Sequence, residues 1–199
     1  MSEQDILVID ADGEIEKIIQ RLDKFKDRLG APDILQKAVK TTAQKVRRQI
    51  IKDAKEHSAL TDESGLKNRS NGAPKVSSSK GAEISSTIIS KGPMQDIMAF
   101  LTQPNTKTGA AAAQVLNDSA PKKLEKGDLK AFVTRFASGH VAIVQRKGPE
   151  RLPVKKLLSP AVPHMLGNDI VRAKATAMAY DLLQAEIEKH IAKVLGNAA

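Results

Sequence analysis

The chain has 199 residues, of which 41% are hydrophobic, 28% are charged and only 3% are aromatic, and it contains no cysteine. This composition favours a soluble globular protein whose core is built mainly from aliphatic side chains and is supplemented by subunit contacts. The absence of cysteine excludes disulfides and thiolate metal sites. The acidic and polar N-terminus is not typical of a signal peptide, and no run of roughly 20 apolar residues predicts a membrane-spanning helix.

The net charge of +9 is concentrated in two blocks. Residues 31–82 carry +6 and residues 122–156 carry +7, whereas residues 1–30 carry −3. The basic residues of the second block are Lys122, Lys123, Lys126, Lys130, Arg135, Arg146, Lys147, Arg151, Lys155 and Lys156. A cluster of this size can bind phosphates non-specifically. A solvated face, or pairing with an acidic neighbour, explains it equally well.

The N-terminal part of the chain predicts one strand and two helices. The apolar run at residues 6–9, bounded by acidic residues, suits a short strand. Residues 14–29 carry apolar side chains at helical spacing and are followed by Gly30, which predicts an amphipathic helix. A second helix is predicted over residues 33–57. Its apolar stripe consists of Leu35, Val39, Thr42, Val46, Ile50 and Ala54.

The middle of the chain predicts two long loops separated by a strand. Residues 69–82 are rich in Ser, Gly and Pro, which indicates a flexible loop. Residues 83–90 have high β propensity and predict a strand. Residues 102–128 show little pattern beyond an alanine run that could form one helical turn. Because loops this long are uncommon inside a compact domain, they point to ordering against a partner.

The C-terminal part predicts a hairpin, a further strand and a long helix. Alternation over residues 130–136 and 141–146, across a turn at Gly139, predicts the hairpin. Prolines bound a third strand at residues 154–158, and apolar residues recur at helical spacing over residues 168–195. The predicted fold is a single α+β domain spanning residues 1–199. It has two N-terminal helices, a small antiparallel sheet with a hairpin at 130–146, and a long C-terminal helix.

No constellation of catalytic residues is found in the sequence. The four histidines are widely separated and lack the spacing of metal ligands. Phosphate-binding loops, dinucleotide-binding turns and nucleophile elbows are absent. We therefore expect no enzymatic activity, no cofactor and no metal ion.

Residues 132–165 contain a series of short motifs in a characteristic order. Two phenylalanines four residues apart are followed by Ser138-Gly139-His140, an apolar strand and Gln145-Arg146-Lys147-Gly148. Then come Arg151-Leu152-Pro153-Val154, Leu157-Leu158 and Ser159-Pro160-x-Val162-Pro163. This order resembles the minor tail protein Z family of tailed bacteriophages, and with weaker similarity at residues 45–69 it covers about a third of the chain. Residues 1–30 show no family pattern.

The resemblance implies a tail-completion protein that forms a homo-oligomeric ring, sixfold in the family, at the head-proximal end of the tail. It implies contacts with neighbouring tail and head–tail connector proteins around the DNA channel, location in the virion after assembly in the host cytoplasm, and no membrane partner. The predicted subunit-interface residues are Phe136, His140, Arg146, Lys147, Arg151, Leu152 and Pro153. The predicted contacts with DNA phosphates or an acidic partner are Arg135, Lys155, Lys156, Lys122 and Lys123.

The alternative function is that of a free-standing basic nucleic-acid-binding protein. Because few aromatic residues lie among the basic ones, such binding would involve the phosphate backbone without reading the bases.

Overall fold

A computed structural model of the chain describes residues 2–10, 31–62, 64–79 and 84–196. The helix predicted over residues 14–29 lies outside the described residues. The described helices are α1 (Ala31–His57), α2 (Ser64–Lys67), α3 (Val162–Leu166) and α4 (Asp169–Gly196), with short 3-10 turns at Arg69–Asn71 and Ile97–Ala99. The described strands are β1 (Ser2–Asp10), β2 (Lys75–Ser78), β3 (Ser85–Gly92), β4 (Met94–Asp96), β5 (Leu101–Gln103), β6 (Ala112–Gln114), β7 (Lys122–Lys123), β8 (Glu125–Lys126), β9 (Leu129–Arg135), β10 (Val141–Arg146), β11 (Val154–Lys156) and β12 (Leu158–Ala161).

The predicted mixture of helices and antiparallel strands, with a long C-terminal helix, is confirmed, but the single small sheet is wrong. In the described residues the strands form four antiparallel sheets, ordered β1-β3-β2, β11-β10-β9-β8, β12-β4 and β5-β6-β7. The strands of the last two sheets are only two to four residues long. Segments this short do not show the alternation by which a strand is recognised in a sequence.

The segments predicted to be loops contain regular structure. Residues 69–82 include a 3-10 turn and strand β2. Residues 102–128 include strands β6, β7 and β8. The alanine run forms β6 and its approach, not a helical turn, and Ala111 and Ala113 pack in the core cluster with Ile97 and Ile143.

The chain divides into two compact units, which are described separately. The helical unit comprises Glu3–Lys52, Pro74–Ser90 and Leu166–Ala199. It holds the sheet β1-β3-β2, most of α1 and nearly all of α4. Every residue of the stripe predicted for α1 is at most 1% exposed. This confirms both the helix and the face that it buries.

The apolar spacing over residues 168–195 predicts helix α4, which is confirmed, but it does not define the face that the helix buries. Ile170 and Tyr180, two of the residues at helical spacing, are 52% and 67% exposed. The face that is buried carries Val171, Ala175, Ala179, Leu183, Ile187 and Ile191. Alanines occur on both faces of this helix, so several stripes fit the spacing equally well, and packing selects among them.

The core of the helical unit contains one buried carboxylate. Glu186 on α4 accepts a hydrogen bond from Lys45 on α1 at 2.5 Å, and its side chain is only 4% exposed. The hydrogen bond from Lys45 lowers the pKa of Glu186, and burial opposes this shift. Nε2 of His190 lies 3.8 Å from the other carboxylate oxygen. A charge in this position requires its partner, because an unpaired buried carboxylate is costly.

The sheet unit comprises Asp53–Ala73 and Lys91–Met165, with Met1–Ser2. Its core cluster consists of Ile97, Ala111, Ala113, Ala131 and Ile143. Phe100 is fully buried as well. The single domain predicted over residues 1–199 stays a prediction. No helix in the described part of the chain combines the length and apolarity that crossing a membrane requires.

Candidate assembly surface

The hairpin predicted at residues 130–146 is confirmed. Strands β9 and β10 pair antiparallel, with Arg135 opposite Val141. At the tip, the amide of Phe136 donates to the carbonyl of His140, and the amide of Gly139 donates back to the carbonyl of Phe136. Gly139 has φ +83°, a conformation that other residues rarely adopt. The rings of Phe136 and His140 stack with centroids 6.3 Å apart, so the turn presents an ordered aromatic pair at the surface.

A charged cluster fastens this tip to the adjacent strands. Oδ2 of Asp96 lies 2.6 Å from Nζ of Lys156 and 3.7 Å from Nε2 of His140. Nζ of Lys156 is also 3.1 Å from Nε2 of His140. The other oxygen of Asp96 accepts a hydrogen bond from the amide of Met98 and caps the 3-10 turn that follows. One carboxylate therefore connects β4, β11 and the hairpin tip.

The elbow between β10 and β11 lies at the other end of the hairpin. The amide of Lys147 donates to the carbonyl of Pro153, which closes the elbow. The Leu152–Pro153 peptide bond is cis. Arg151 and Pro153 are exposed, and Leu152 is 69% exposed. The elbow thus presents a large apolar side chain beside a cation.

Arg146, the last residue of β10 before the elbow, also approaches an aromatic ring. Its guanidinium lies 5.9 Å from the centroid of the Phe132 ring, within reach of a cation–π interaction. Both residues line a groove of about 500 Å³ that also includes the loop at residues 105–109. Lys130 donates to the carbonyl of Thr108 across this groove, and the side chain of Asn105 accepts from the amide of Val133.

The predicted interface residues are therefore not all brought together. Phe136 and His140 lie at the tip, and Lys147, Arg151, Leu152 and Pro153 lie at the elbow. The six residues of β10 separate the two groups by about 20 Å, at roughly 3.3 Å per residue. Strand β11 runs back from the elbow along the nearer half of β10, and the side chain of Lys156 reaches His140 at the tip.

The residues predicted to contact phosphates or an acidic partner lie on different sheets. Lys122 and Lys123 are exposed on β7, in the sheet β5-β6-β7. Arg135 and Lys155 are exposed at opposite ends of the sheet β11-β10-β9-β8. Lys156 is engaged by Asp96 and is less available than predicted. Of the ten basic residues in the block, it alone forms a salt bridge with a described residue.

Sequence reasoning missed the apolar and acidic members of this surface. Leu158 lies opposite Asp96 in the β12-β4 pair, and it is 48% exposed. Met94, on the same strand as Asp96, is exposed too. The one signal in the sequence was the residue type of Asp96, because aspartate often caps a helical turn by accepting from the amide two residues later, here that of Met98. Leu158 and Met94 lie in strands too short to assign a face.

Among the described residues, no group of three or more His, Cys, Asp or Glu side chains is arranged to hold a metal ion. Comparison of the chain with protein-family models, with curated proteins and with solved structures found no match. The resemblance of residues 138–163 to the tail protein family stays a prediction.

Proposed function

We propose that the chain is a structural tail-completion protein of a tailed bacteriophage. In this proposal copies of the chain assemble into a ring at the head-proximal end of the tail and help to join the tail to the head around the DNA channel. The chain performs no catalysis and requires no cofactor. Its partners are other copies of itself, the neighbouring tail proteins and the head–tail connector proteins.

The observation that carries this proposal is the exposure of large apolar side chains around strand β11. Leu152 precedes the strand, Leu158 follows it, and Phe136 lies at the hairpin tip beside Lys156 and His140. Large exposed apolar side chains beside charged ones are typical of protein–protein contact surfaces, and here they are distributed over the elbow, β12 and the hairpin tip. The same segment carries the motifs that resemble the tail protein family. Both features therefore support a role in assembly.

The elbow provides the sharpest test of this role. Arg151→Glu reverses an exposed charge that has no salt-bridge partner among the described residues, so the protomer should fold normally. Lys174→Glu makes the same change of charge on the exposed face of α4 and serves as the control. In phage that carry the gene, we expect R151E to lower the yield of infectious particles at least tenfold and to leave heads and tails unjoined in electron micrographs. Equal yields for the two variants would remove the elbow from the assembly surface.

The exposed cations favour one alternative, a free-standing nucleic-acid-binding protein. Lys122, Lys123, Arg135 and Lys155 are all exposed, and none forms a salt bridge within the described residues. Each phosphate neutralised by such a cation makes DNA affinity fall with salt concentration. Submicromolar and steeply salt-dependent binding of duplex DNA by the monomer would favour this alternative. Negligible binding would favour the structural role.

A further inference from the structure

We propose that the groove between β9 and the loop at residues 105–109 binds an extended, acidic segment of a partner protein through the carboxylates of that segment. The inference rests on the proposed function for the source of the segment, which is a neighbouring protein of the particle. Its site differs from the hairpin tip and the exposed leucines on which that function depends. All residues that line the groove belong to the sheet unit.

The loop that forms one wall of the groove is held in place by hydrogen bonds of its own chain. Two of them, from the side chain of Lys130 and from the amide of Val133, fasten the loop to β9. Within the loop, the amide of Gly109 donates to Oγ1 of Thr106 at 2.8 Å. A Cβ at Gly109 would lie 2.8 Å from the same oxygen, so the turn is tight. A wall that is already ordered lowers the entropic cost of binding a ligand.

Two cations lie side by side in the groove. Strands β9 and β10 pair Phe132 with Val144. Two residues further along, the same register sets Lys130 beside Arg146, and because alternate residues share a face, both side chains lie on the face of Phe132. Like charges on neighbouring strands repel each other. An anion bound between the two cations would remove this repulsion, so the free groove favours an anionic ligand.

The cations of the groove are available to such a ligand. Lys107, on the loop, is the third cation of the lining. It is exposed, as are Lys130 and Arg146, and none of the three forms a salt bridge with a described residue. The guanidinium of Arg146 lies 5.9 Å from the centroid of the Phe132 ring. A guanidinium positioned by a ring keeps the planar set of N–H donors that binds a carboxylate with two hydrogen bonds.

Acidic residues at the groove favour a protein segment over a nucleic acid. Asp128 lines the groove, and Glu125 lies opposite Lys130 in the β8–β9 pair without forming a salt bridge with it. The evenly spaced phosphates of a nucleic acid strand would meet these carboxylates, whereas a peptide can carry its charges only where the cations lie. Phe132 is the one aromatic residue of the lining, and it is half-buried beside Arg146. Bases therefore find no stacking platform.

Peptide binding to the full-length protein tests the groove. The probe is an end-capped hexapeptide of alternating glutamate and threonine, whose glutamates project to one side about 7 Å apart when the peptide is extended. The control peptide has glutamine in place of each glutamate. In nitrogen–proton NMR spectra, we expect the acidic peptide to shift the amides that line the groove, with a Kd on the order of 100 µM, and the control to bind about tenfold more weakly. Equal binding of the two peptides, or no saturable shift up to about 5 mM, would overturn the inference.

Variants matched in charge separate a site from general attraction to a basic protein. One carries Lys107→Gln and Lys130→Gln in the groove, and the other carries Lys122→Gln and Lys155→Gln at exposed positions outside it. We expect the first to weaken binding of the acidic peptide about fivefold, the loss of two exposed ion pairs, and the second to leave it nearly unchanged. K107Q alone breaks no described hydrogen bond and should weaken binding about two- to threefold, even if the loss of Lys130 loosens the loop. Equal effects of the two double variants contradict the inference.

Two further results identify the source of the anion and separate this inference from the proposed function. A single-stranded thymidine hexanucleotide that shifts the same amides as tightly as the acidic peptide refutes the assignment to a protein segment. Peptide binding in the groove, with no chain found in purified tails, refutes the tail role and leaves the groove site standing. A chain found in tails that binds no acidic peptide refutes the groove site and leaves the tail role standing.

Discussion

Removal of the Asp96 side chain should loosen the hairpin tip by a predictable amount. Asp96→Ala loses both the cap on the amide of Met98 and the ion pair with Lys156. A capping hydrogen bond contributes about 1 kcal/mol, and a partly exposed ion pair contributes about 0.5 kcal/mol. We therefore expect a loss of about 1.5 kcal/mol, or a fall in Tm of about 3–6 °C for a chain of this length.

Two further variants separate the contributions of Asp96. Asp96→Asn keeps an oxygen to accept from Met98 but loses the charge, so it should cost only about 0.5 kcal/mol. Lys156→Met should cost the same, and combining it with D96N should add little, since both remove one interaction. Urea unfolding followed by circular dichroism measures the wild type, the three single variants and the double variant. If D96A and D96N are equally destabilised, the cap contributes nothing and the account of the cluster is wrong.

Three further substitutions test the packing inside each of the two units, and urea unfolding measures their effects. Lys45→Met should destabilise the protein by about 2 kcal/mol at neutral pH, because the buried Glu186 loses its hydrogen bond and ion pair with Lys45 and keeps only the more distant His190 contact among those described, while the partial exposure of Lys45 reduces the cost. The pKa of Glu186 is lowered on folding, so the stabilisation from its ion pair is present above the usual pKa of 4.5 and is lost as the pH falls through the folded value. The difference in unfolding free energy between wild type and K45M should therefore shrink below pH 4.5. A difference that stays constant with pH would contradict the ion pair between Lys45 and Glu186. Gly92→Ala should cost about 3 kcal/mol, because a Cβ there would lie 2.1 Å from the carbonyl oxygen of Asn71. A Cβ at Gly139 would meet open space, so Gly139→Ala should cost only about 1 kcal/mol, which comes from the positive φ at this position. If G139A and G92A cost the same, the approach of the Asn71 carbonyl to Gly92 does not account for the effect of G92A.

The elements that the sequence predicted well are those with long, unambiguous periodicity. The stripe of α1 uses large β-branched or branched residues at one phase, and it is buried as predicted. The hairpin has alternation on both strands and a glycine at the turn, and its two strands pair antiparallel about that turn. Strand β6 was misjudged, because alanine is small enough to fit a helix or a strand, and the alanines on both faces of α4 left its buried face undefined.

The candidate surface was only half predictable, because it joins residues that are remote in the chain. Asp96 lies 44 residues before His140 and 60 before Lys156, and only the pairing of β4 with β12 brings them together. The motif at residues 138–163 indicated the elbow and the tip, but it could not show that one strand separates them. Counting charges along the sequence likewise identified Lys156 as part of a basic block but did not reveal that Asp96 is its partner.

In the proposed assembly, the low aromatic content of the chain makes association important for stability. The core cluster of the sheet unit includes Ala111, Ala113 and Ala131, which bury less apolar area than larger side chains would. Leu152 and Leu158 remain exposed in the free chain, and burying a leucine fully is worth about 1.5–3 kcal/mol. Association should therefore raise the stability of the fold by mass action. We expect Tm to rise by several degrees between about 5 and about 500 µM protein, and the rise should disappear when Leu152 and Leu158 are both replaced by Ser. A Tm that is independent of concentration in the unchanged protein would show that these leucines are not buried by a second copy.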